Sequence, residues 1–209
     1  MTETLHVIVT AGPTREYIDP VRYLSNESSG LMGFEIAKAL LAAGHRVTIV
    51  AGPVHQETPE GAERIDVMSA LDMLAALEEH FPKADAIFMA AAVGDFRPAT
   101  KLGGKWKKKE EGGGPPVLEL VENPDLLATI AATKGHRKVI AFALETSDGE
   151  ARAAAKLVRK NADYIVLNGA SALNAATSTV TVLNGNGVVW ALEDSPKAAT
   201  AKRLVELLG

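Results

Sequence analysis

Residues 11–33 of the chain read AGPTREYIDPVRYLSNESSGLMG and connect a predicted strand to a predicted helix. The run before them, HVIVT at 6–10, is short, apolar and β-branched, which is typical of a buried strand. Small and apolar residues then recur at helical spacing up to Gly44, and RVTIV at 46–50 is a second strand. The first loop of this βαβ unit is far longer than such a connection requires. A long loop beside a helix N-terminus is a place where a phosphate or carboxylate is held.

Composition narrows the class of protein. At 209 residues and 47% apolar content, the chain fits one globular domain. Its net charge of −4 argues against a general nucleic-acid or membrane-surface binder, and the absence of cysteine excludes disulfides, thiolate catalysis and cysteine-ligated metals. No targeting peptide precedes the first strand, and no apolar run approaches the ~18 residues of a membrane span. We expect a soluble cytoplasmic protein without nucleic-acid or membrane partners.

Strands and helices alternate along the rest of the chain. Predicted strands occupy residues 65–67, 84–89, 117–121, 139–143 and 164–167. Predicted helices occupy residues 70–80 behind the cap Ser69, a segment with Asn123 as cap and Pro124 in first position, residues 148–161 and residues 197–208. Residues 178–183 and 188–192 flank the turn NGNG, which predicts a hairpin. The pattern predicts one α/β domain over residues 1–209: a mostly parallel sheet with helices on both faces and a C-terminal β-hairpin extension.

The first candidate site is the helix start NESSGLMG at 26–33. Its glycines let a ligand approach the backbone, and free N–H groups at a helix start bind anions. A helix cap with a glycine for close helix–sheet packing explains the same residues, and spacing does not decide between the two. The segment is not a dinucleotide fingerprint, because no G-x-G follows the strand.

The second candidate is AAVGDFRP at 91–98, which follows the predicted strand at 84–89. Small residues there leave room for a planar ring or a sugar. The carboxylate of Asp95 is suited to a ribose hydroxyl or a metal ion, although an aspartate that satisfies its own turn is the simpler interpretation.

Two groups of lysines are candidates for binding phosphate. Residues 94–116, here called the basic loop, break every periodicity and carry lysines at 101, 105, 107, 108 and 109 between glycines. Such a segment is suited to close as a flap over a polyanion, or it is simply a solvated charge run. Lys156 and Lys160 share one helix face, where the simpler interpretation is a solvated helix edge.

Taken together, these motifs resemble one known family. They are IVTAGPTRE at 8–16, DPVRYLSN at 19–26, SSG at 28–30, AAVGDFR at 91–97, VENPD at 121–125 and FALET at 142–146, followed by the lysine pair. In this order and over nearly the whole chain, they resemble phosphopantothenate–cysteine ligase (phosphopantothenoylcysteine synthetase) of coenzyme A biosynthesis.

The resemblance implies a reaction and its partners. A nucleoside triphosphate, CTP in most bacteria, activates the carboxylate of 4′-phosphopantothenate as an acyl-nucleotide and releases pyrophosphate. The amine of cysteine then attacks to form the amide. The family has a modified Rossmann-like fold, uses Mg²⁺ and forms homodimers, for which we expect residues 178–192 to provide a contact.

The resemblance also implies roles for individual residues. Asn26 matches the residue that turns the acyl-nucleotide over and holds phosphopantothenate, and Lys105 matches the flap lysine that acts in forming the intermediate. Ala91 and Ala92 join them in binding substrate, and Asp95 is also the candidate metal ligand. The expected nucleotide-binding residues are Gly12, Ser28, Ser29, Gly30, Met89, Asp95, Val121, Glu122, Asn123, Pro124, Phe142, Lys156 and Lys160.

Departures from the family pattern leave alternatives open. Trp106 follows the flap lysine where the family usually has isoleucine, Asn168-Gly169-Ala170 replaces an Asn-Asp pair, and Leu144 leaves the choice between CTP and ATP open. No segment is suited to bind flavin, so we expect no decarboxylase domain and either a monofunctional ligase or an excised domain. An NAD(P)-dependent reductase is disfavoured by the missing G-x-G-x-x-G and Tyr-x-x-x-Lys patterns. A non-catalytic nucleotide-binding or regulatory protein on the same fold is the other alternative.

Overall fold

The computed structural model describes residues 3–107, 117–145, 149–169 and 177–209. The strands are β1 (His6–Ala11), β2 (Arg15–Asp19), β3 (Arg22–Ser25), β4 (Arg46–Ala51), β5 (Glu63–Asp66), β6 (Ala86–Met89), β7 (Phe96–Pro98), β8 (Leu120–Glu122), β9 (Lys138–Glu145), β10 (Tyr164–Gly169), β11 (Thr177–Asn184) and β12 (Gly187–Pro196). The helices are α1 (Leu31–Ala42), α2 (Ala70–His80), α3 (Leu126–Ala132), α4 (Gly149–Arg159) and α5 (Lys197–Val205), with short 3-10 helices at Phe81–Lys83 and Glu206–Leu208.

Eight strands form one sheet in the order β12-β11-β10-β9-β6-β1-β4-β5. Six neighbouring strands of this sheet run parallel: β10, β9, β6, β1, β4 and β5. Strands β11 and β12 complete the sheet as an antiparallel hairpin. Numbered in chain order, the parallel strands follow the Rossmann arrangement 3-2-1-4-5-6, whose direction reverses between β1 and β6. A crevice opens at the carboxyl ends of the strands at such a reversal, and ligands bind there.

Two hydrophobic cores cover the two faces of the sheet. Helices α1 and α5 pack on one face around the buried side chains of Phe34, Ile36 and Leu204. Helices α2, α3 and α4 pack on the other around those of Met73 and Ile130. The predicted fold class is therefore confirmed: a mostly parallel α/β sheet with helices on both faces and a C-terminal hairpin. In the described residues, no helix is long and apolar enough to span a bilayer.

Helix α1 packs on β1 at a distance that excludes a side chain at Gly33. A Cβ atom there would lie 2.7 Å from Cβ of Ala11 and 3.1 Å from the carbonyl oxygen of Thr10. We expect Gly33→Ala to lower the free energy of unfolding by about 1–3 kcal/mol, the usual cost of overpacking. Urea unfolding would measure the loss, with Gly103→Ala as control because a Cβ there meets nothing within 4 Å. Equal stability of the two variants would contradict the tight contact.

The prediction of a long polar loop between β1 and α1 is wrong in one respect, because this segment contains the β2–β3 hairpin. Its strands pair from Arg15 with Ser25 to Asp19 with Arg22, and the rings of Tyr17 and Tyr23 meet edge to face at 5.4 Å. Strands this short and rich in charged residues lack the apolar alternation that identifies a strand. The hairpin projects from the sheet beside the crevice rather than joining it.

The start of α3 corrects a second prediction. Asp125, not Asn123, is the N-cap, and its carboxylate accepts a hydrogen bond from the amide of Ala128 at 2.8 Å. Asn123 and Pro124 precede the helix, and the Asn123 side chain donates to the carbonyl of Gly94 at 2.8 Å instead. Both residues are good caps, so propensity alone did not distinguish them.

The basic loop predicted at 94–116 is wrong in part, because it contains β7, and the strand predicted at 117–121 is shortened to β8, which pairs with β7 outside the main sheet. The remaining predicted boundaries are close to the observed ones. Ser69 caps α2 as expected, in a reciprocal capping box with Asp72, and the NGNG turn joins β11 to β12. The predicted start of the fourth helix at 148 and the lysines at 108 and 109 lie outside the described residues, as do residues 110–116 and Ala170.

Candidate active site

Two adjacent cavities open at the carboxyl ends of β1, β6 and β9. The smaller, about 210 Å³, lies at the start of α1 and is here called the α1 cavity. The larger, about 410 Å³, contains Lys156 and Lys160 and is called the lysine cavity. Ala91 and Phe142 line both, so these two residues form a shared wall.

The predicted site residues divide between the two cavities. The α1 cavity contains Ser28, Ser29, Gly30, Ala91, Ala92 and Phe142. The lysine cavity contains Met89, Ala91, Asp95, Glu122, Asn123, Pro124, Phe142, Lys156 and Lys160. Most of the residues that the resemblance implied are therefore brought together, in two groups rather than one.

Several groups at the α1 cavity are suited to hold an anion, and one carboxylate, that of Glu27, also lines it. Gly30 is the N-cap of α1 in the left-handed conformation at φ +74°, and no side chain caps the helix or neutralises its first turn. Gly12, also at positive φ, lies directly behind it: a Cβ on Gly30 would approach the Gly12 nitrogen to 3.3 Å. Lys197 is only 7% exposed and lines the same cavity. Burial lowers the pKa of the Lys197 ammonium, an effect that an anion placed beside it would oppose.

The lysine cavity contains two ammonium groups, one from Lys156 in the last turn of α4 and one from Lys160, which directly follows the helix. Lys156 donates to the carbonyl of Phe142 at 3.3 Å, and Lys160 forms an ion pair with Asp125. Burial opposes ionisation of Asp125, but hydrogen bonds from Lys160 and the Ala128 amide, with the charges of both lysines, lower the pKa of this carboxyl below its usual value. Because Lys160 is already paired, Asp125 holds its ammonium at the edge of the cavity.

Asp95 and the β7–β8 pair close one side of the lysine cavity. The backbone of Asp95 accepts a hydrogen bond from the Asn123 amide at 2.8 Å, and Arg97 donates to the Asn123 side chain at 3.1 Å. This bonding fixes the backbone of Asp95, whose carboxylate lies at the exposed rim.

The carboxylates near the lysine cavity are suited to bind Mg²⁺ in one mode only. Among the described residues, no three His, Cys, Asp or Glu side chains converge to hold a cation. Mg²⁺ usually keeps several waters and is bound by one or two carboxylates together with substrate phosphates. Asp95 fits that mode, so its role as a metal ligand stays a prediction.

Asn26 lies at the boundary of the two cavities. Its side-chain amide donates to the carbonyl of Val93 at 3.0 Å and, more weakly, to that of Ala92 at 3.5 Å. Ala92 lines the α1 cavity and Val93 lines the lysine cavity. The exposed amide of Asn26 is thus positioned beside the shared wall.

Four predicted site residues line neither cavity, namely Asn26, which is described above, and three others. Lys105 is exposed on the basic loop, Val121 is exposed on β8 opposite Arg97, and Gly12 lies behind the α1 cap. Leu144, expected to alter the base pocket, lines the α1 cavity and not the lysine cavity.

Sequence reasoning missed Lys197 and gave no role to Asn168, which both line the α1 cavity. The Asn168 side-chain oxygen is buried and has no hydrogen-bond partner among the residues that the structure describes. One signal was available for Lys197. It occupies the first position of α5, where a cation opposes the helix dipole and is unfavourable unless something else requires it.

Comparison with known proteins shows which family the chain matches. The family described as DNA/pantothenate metabolism flavoprotein C-terminal domain matches residues 2–209. The coenzyme A biosynthesis bifunctional protein CoaBC of Escherichia coli K12 is 46% identical over 168 residues, which are 80% of this chain and 41% of that protein. The matched region thus spans less than half the length of that relative.

Solved structures share the fold. The crystal structure of the C-terminal domain of a CoaBC protein is 35% identical with a TM-score of 0.83, and the match covers 98% of this chain and 93% of that one. A Cab2 variant in complex with phosphopantothenate-cysteine is 17% identical with a TM-score of 0.78, covering 98% of this chain and 85% of that one. At that identity, the second likeness shows the fold alone.

Proposed function

We propose a ligase reaction for this chain, which belongs to the family of the DNA/pantothenate metabolism flavoprotein C-terminal domain. The reaction joins 4′-phosphopantothenate to L-cysteine in coenzyme A biosynthesis. A carboxylate oxygen attacks the α-phosphorus of a nucleoside triphosphate, preferably CTP, and pyrophosphate leaves. The cysteine amine then attacks the acyl carbon and loses a proton, and the nucleoside monophosphate leaves. The observation that carries the proposal is a pair of cavities sharing one wall, with Asn26 beside that wall.

In this proposal the lysine cavity receives the nucleotide. It is the larger of the two, and Lys156 and Lys160 supply the positive charge that a triphosphate requires. The exposed carboxylate of Asp95 is suited to a ribose hydroxyl or to Mg²⁺. When bound, Mg²⁺ would neutralise phosphate charge as pyrophosphate leaves.

Phosphopantothenate takes the α1 cavity. Its phosphate lies near Lys197 and the uncapped start of α1, and its carboxylate reaches the wall at Ala91 and Phe142. This assigns Ser28, Ser29 and Gly30 to phosphopantothenate instead of the nucleotide, because these residues line only the α1 cavity. Asn26 then holds the activated carbonyl while the amine attacks, which is an effect of orientation.

Pyrophosphate release tests the proposal. The assay contains 4′-phosphopantothenate and Mg²⁺ with either CTP or ATP, with and without cysteine. Cysteine-dependent turnover with CTP is the expected result, and turnover with ATP alone would keep the reaction and change the nucleotide. No release with either nucleotide would refute the ligase.

Lys197 provides a test of which cavity holds the phosphate. We expect Lys197→Met to raise KM for 4′-phosphopantothenate by about 10- to 100-fold, the usual effect of losing a charged hydrogen bond, with a smaller change in kcat. KM for the nucleotide should change little. Lys202→Met, which removes an exposed lysine of the same helix, is the control. An unchanged KM for phosphopantothenate in folded Lys197→Met would place the phosphate elsewhere.

We also propose that residues 1–209 act as one ligase domain that forms a homodimer through the β11–β12 hairpin. β12 is the edge strand of the sheet, and its side chains of Val188 and Val189 are 51% and 42% exposed. Replacing both valines with lysine is expected to convert the dimer to a folded monomer, because charged edges block pairing between sheets. Sedimentation equilibrium would report the change, and an unaltered dimer would exclude this contact.

A further inference from the structure

The β2–β3 hairpin carries two buried carboxylates that bond to different parts of the protein. Glu16 is 4% exposed and accepts a hydrogen bond from the amide of Ala70 at 2.8 Å, which joins the hairpin to the start of α2. Asp19 is fully buried and lies at the end of β2. The hairpin is therefore fixed to the body of the protein at one carboxylate, and the second is available for another contact.

The two oxygens of Asp19 have separate tasks. Oδ1 accepts hydrogen bonds from the amides of Val21 at 2.8 Å and Arg22 at 2.9 Å, which closes the hairpin turn. Oδ2 accepts a hydrogen bond from the amide of Trp106 at 3.0 Å, and Trp106 lies 87 residues further along the chain. The Trp106 amide is the largest influence on this carboxyl, and the net effect of its surroundings is a pKa below the usual value. Nε of Arg22 also lies 3.6 Å from Oδ2. Oδ1 therefore closes the turn, and Oδ2 binds the basic loop together with the Arg22 side chain.

Further contacts join the β2–β3 hairpin to the basic loop. The Arg22 guanidinium donates to the Trp106 carbonyl at 2.9 Å, so both backbone groups of Trp106 are bonded to the hairpin. The Leu102 amide donates to the carbonyl of Ile18 at 2.9 Å, and the Lys101 ammonium lies 5.4 Å from the ring centre of Tyr17. Residues 101–107, here called the loop stem, are thus docked on the hairpin at both ends.

We propose that Asp19 is a positioning residue that docks the loop stem and thereby sets the place of Lys105. Lys105 immediately precedes Trp106, so the Asp19–Trp106 bond fixes the backbone from which the lysine extends. The inference rests on the proposed function, which supplies the role of Lys105 in activation. It extends that function to a residue that touches neither the cavities nor the reacting atoms.

Asp19→Asn separates the two tasks of the carboxylate. The asparagine oxygen can still accept the hydrogen bonds from the amides of Val21 and Arg22. Its NH2 group then faces the Trp106 amide, and because both groups are donors, no hydrogen bond forms between them. The docking contact is lost while the turn remains. Asp85→Asn is the control, because the exposed Asp85 carboxylate also accepts a hydrogen bond from a backbone amide, that of His6 at 2.7 Å, at the start of β1.

Trp106 itself reports docking without any substrate. The chain has two tryptophans, so Trp190→Phe leaves Trp106 as the only tryptophan signal. In that background, Asp19→Asn is expected to shift the docking equilibrium by about tenfold or more, the usual effect of losing a charged hydrogen bond, and to raise acrylamide quenching of Trp106. Arg22→Met, which removes the second contact from a side chain that is 45% exposed, should raise quenching as well. Asp85→Asn should not.

A double-mutant cycle connects docking to the reaction. Asp19→Asn should lower the rate of pyrophosphate release in the wild type, but it should have no further effect in a Lys105→Ala background, because it acts through that lysine. A fully additive loss, or quenching in Asp19→Asn and Arg22→Met equal to that in Asp85→Asn, would overturn the inference. Wild-type protein without turnover would refute the proposed function, and the quenching experiment would still decide whether Asp19 docks the loop stem.

Discussion

Asn26→Asp is expected to bind nucleotide and release pyrophosphate normally, while formation of the amide slows by about 10²- to 10³-fold, the usual effect of removing one donor to a developing oxyanion. The Asn26 amide donates to the carbonyls of Val93 and Ala92 beside the shared wall, so it can turn to a ligand carbonyl there. Aspartate has the same shape but cannot donate when ionised, and it places a negative charge where the tetrahedral intermediate becomes negative. The acyl-nucleotide should therefore accumulate.

Rapid quench with radiolabelled nucleotide would detect that intermediate directly. The control is Asn186→Asp, which adds the same charge in the turn between β11 and β12, far along the chain from the cavities. Normal amide formation by Asn26→Asp would refute the role proposed for Asn26. Loss of pyrophosphate release would instead move that role to the first half of the reaction.

Lys105→Ala is expected to have the opposite pattern, with pyrophosphate release slowed by about 10²- to 10³-fold and nucleotide affinity nearly unchanged. Lys156 and Lys160 remain in the lysine cavity to bind the triphosphate. Because Lys105 lines neither cavity, we expect it to stabilise the charge that develops on phosphorus during activation rather than to bind the nucleotide.

Lys107→Ala is the control, because Lys107 is an exposed lysine of the same loop stem. Pyrophosphate release in single-turnover experiments and nucleotide binding by calorimetry measure the two effects separately. Unchanged release in Lys105→Ala would exclude a role in activation. A loss of equal size in Lys107→Ala would mean that the loop acts by its total charge rather than through one residue.

The main sheet was predictable because its strands are short, apolar and separated by helices with recognisable ends. Val7, Val9 and Ile49 are fully buried, as their β-branched runs predicted, and the Ser69 capping box marks the start of α2 correctly. The β2–β3 hairpin was not predictable in the same way. Its strands are held by Asp19 and Glu16, which bond to the distant residues Trp106 and Ala70, and single-sequence periodicity does not register such bonds.

The roles of the site residues stay predictions, but the structure places most of the residues that the sequence singled out at one of the two cavities. The resemblance to phosphopantothenate–cysteine ligases that named them is confirmed at the family level by the CoaBC matches. The division of these residues into two groups depends on where β6 and β9 lie in the sheet, which the motifs do not encode. Lys197 was missed because it enters the α1 cavity from the last helix, remote in sequence from every recognised motif.

In the proposed arrangement, the position of the shared wall also selects among substrates by their length. Ala91 follows β6 and Phe142 lies on β9, two strands paired in fixed register from Ala86 with Lys138 to Met89 with Ala141. In the proposed arrangement, a substrate anchored by its phosphate near Lys197 must place its carboxylate at this wall. The pairing of β6 with β9 fixes the position of this wall. An analogue one methylene shorter or longer is therefore expected to bind at the anchor and yet place its carboxylate out of reach of the nucleotide.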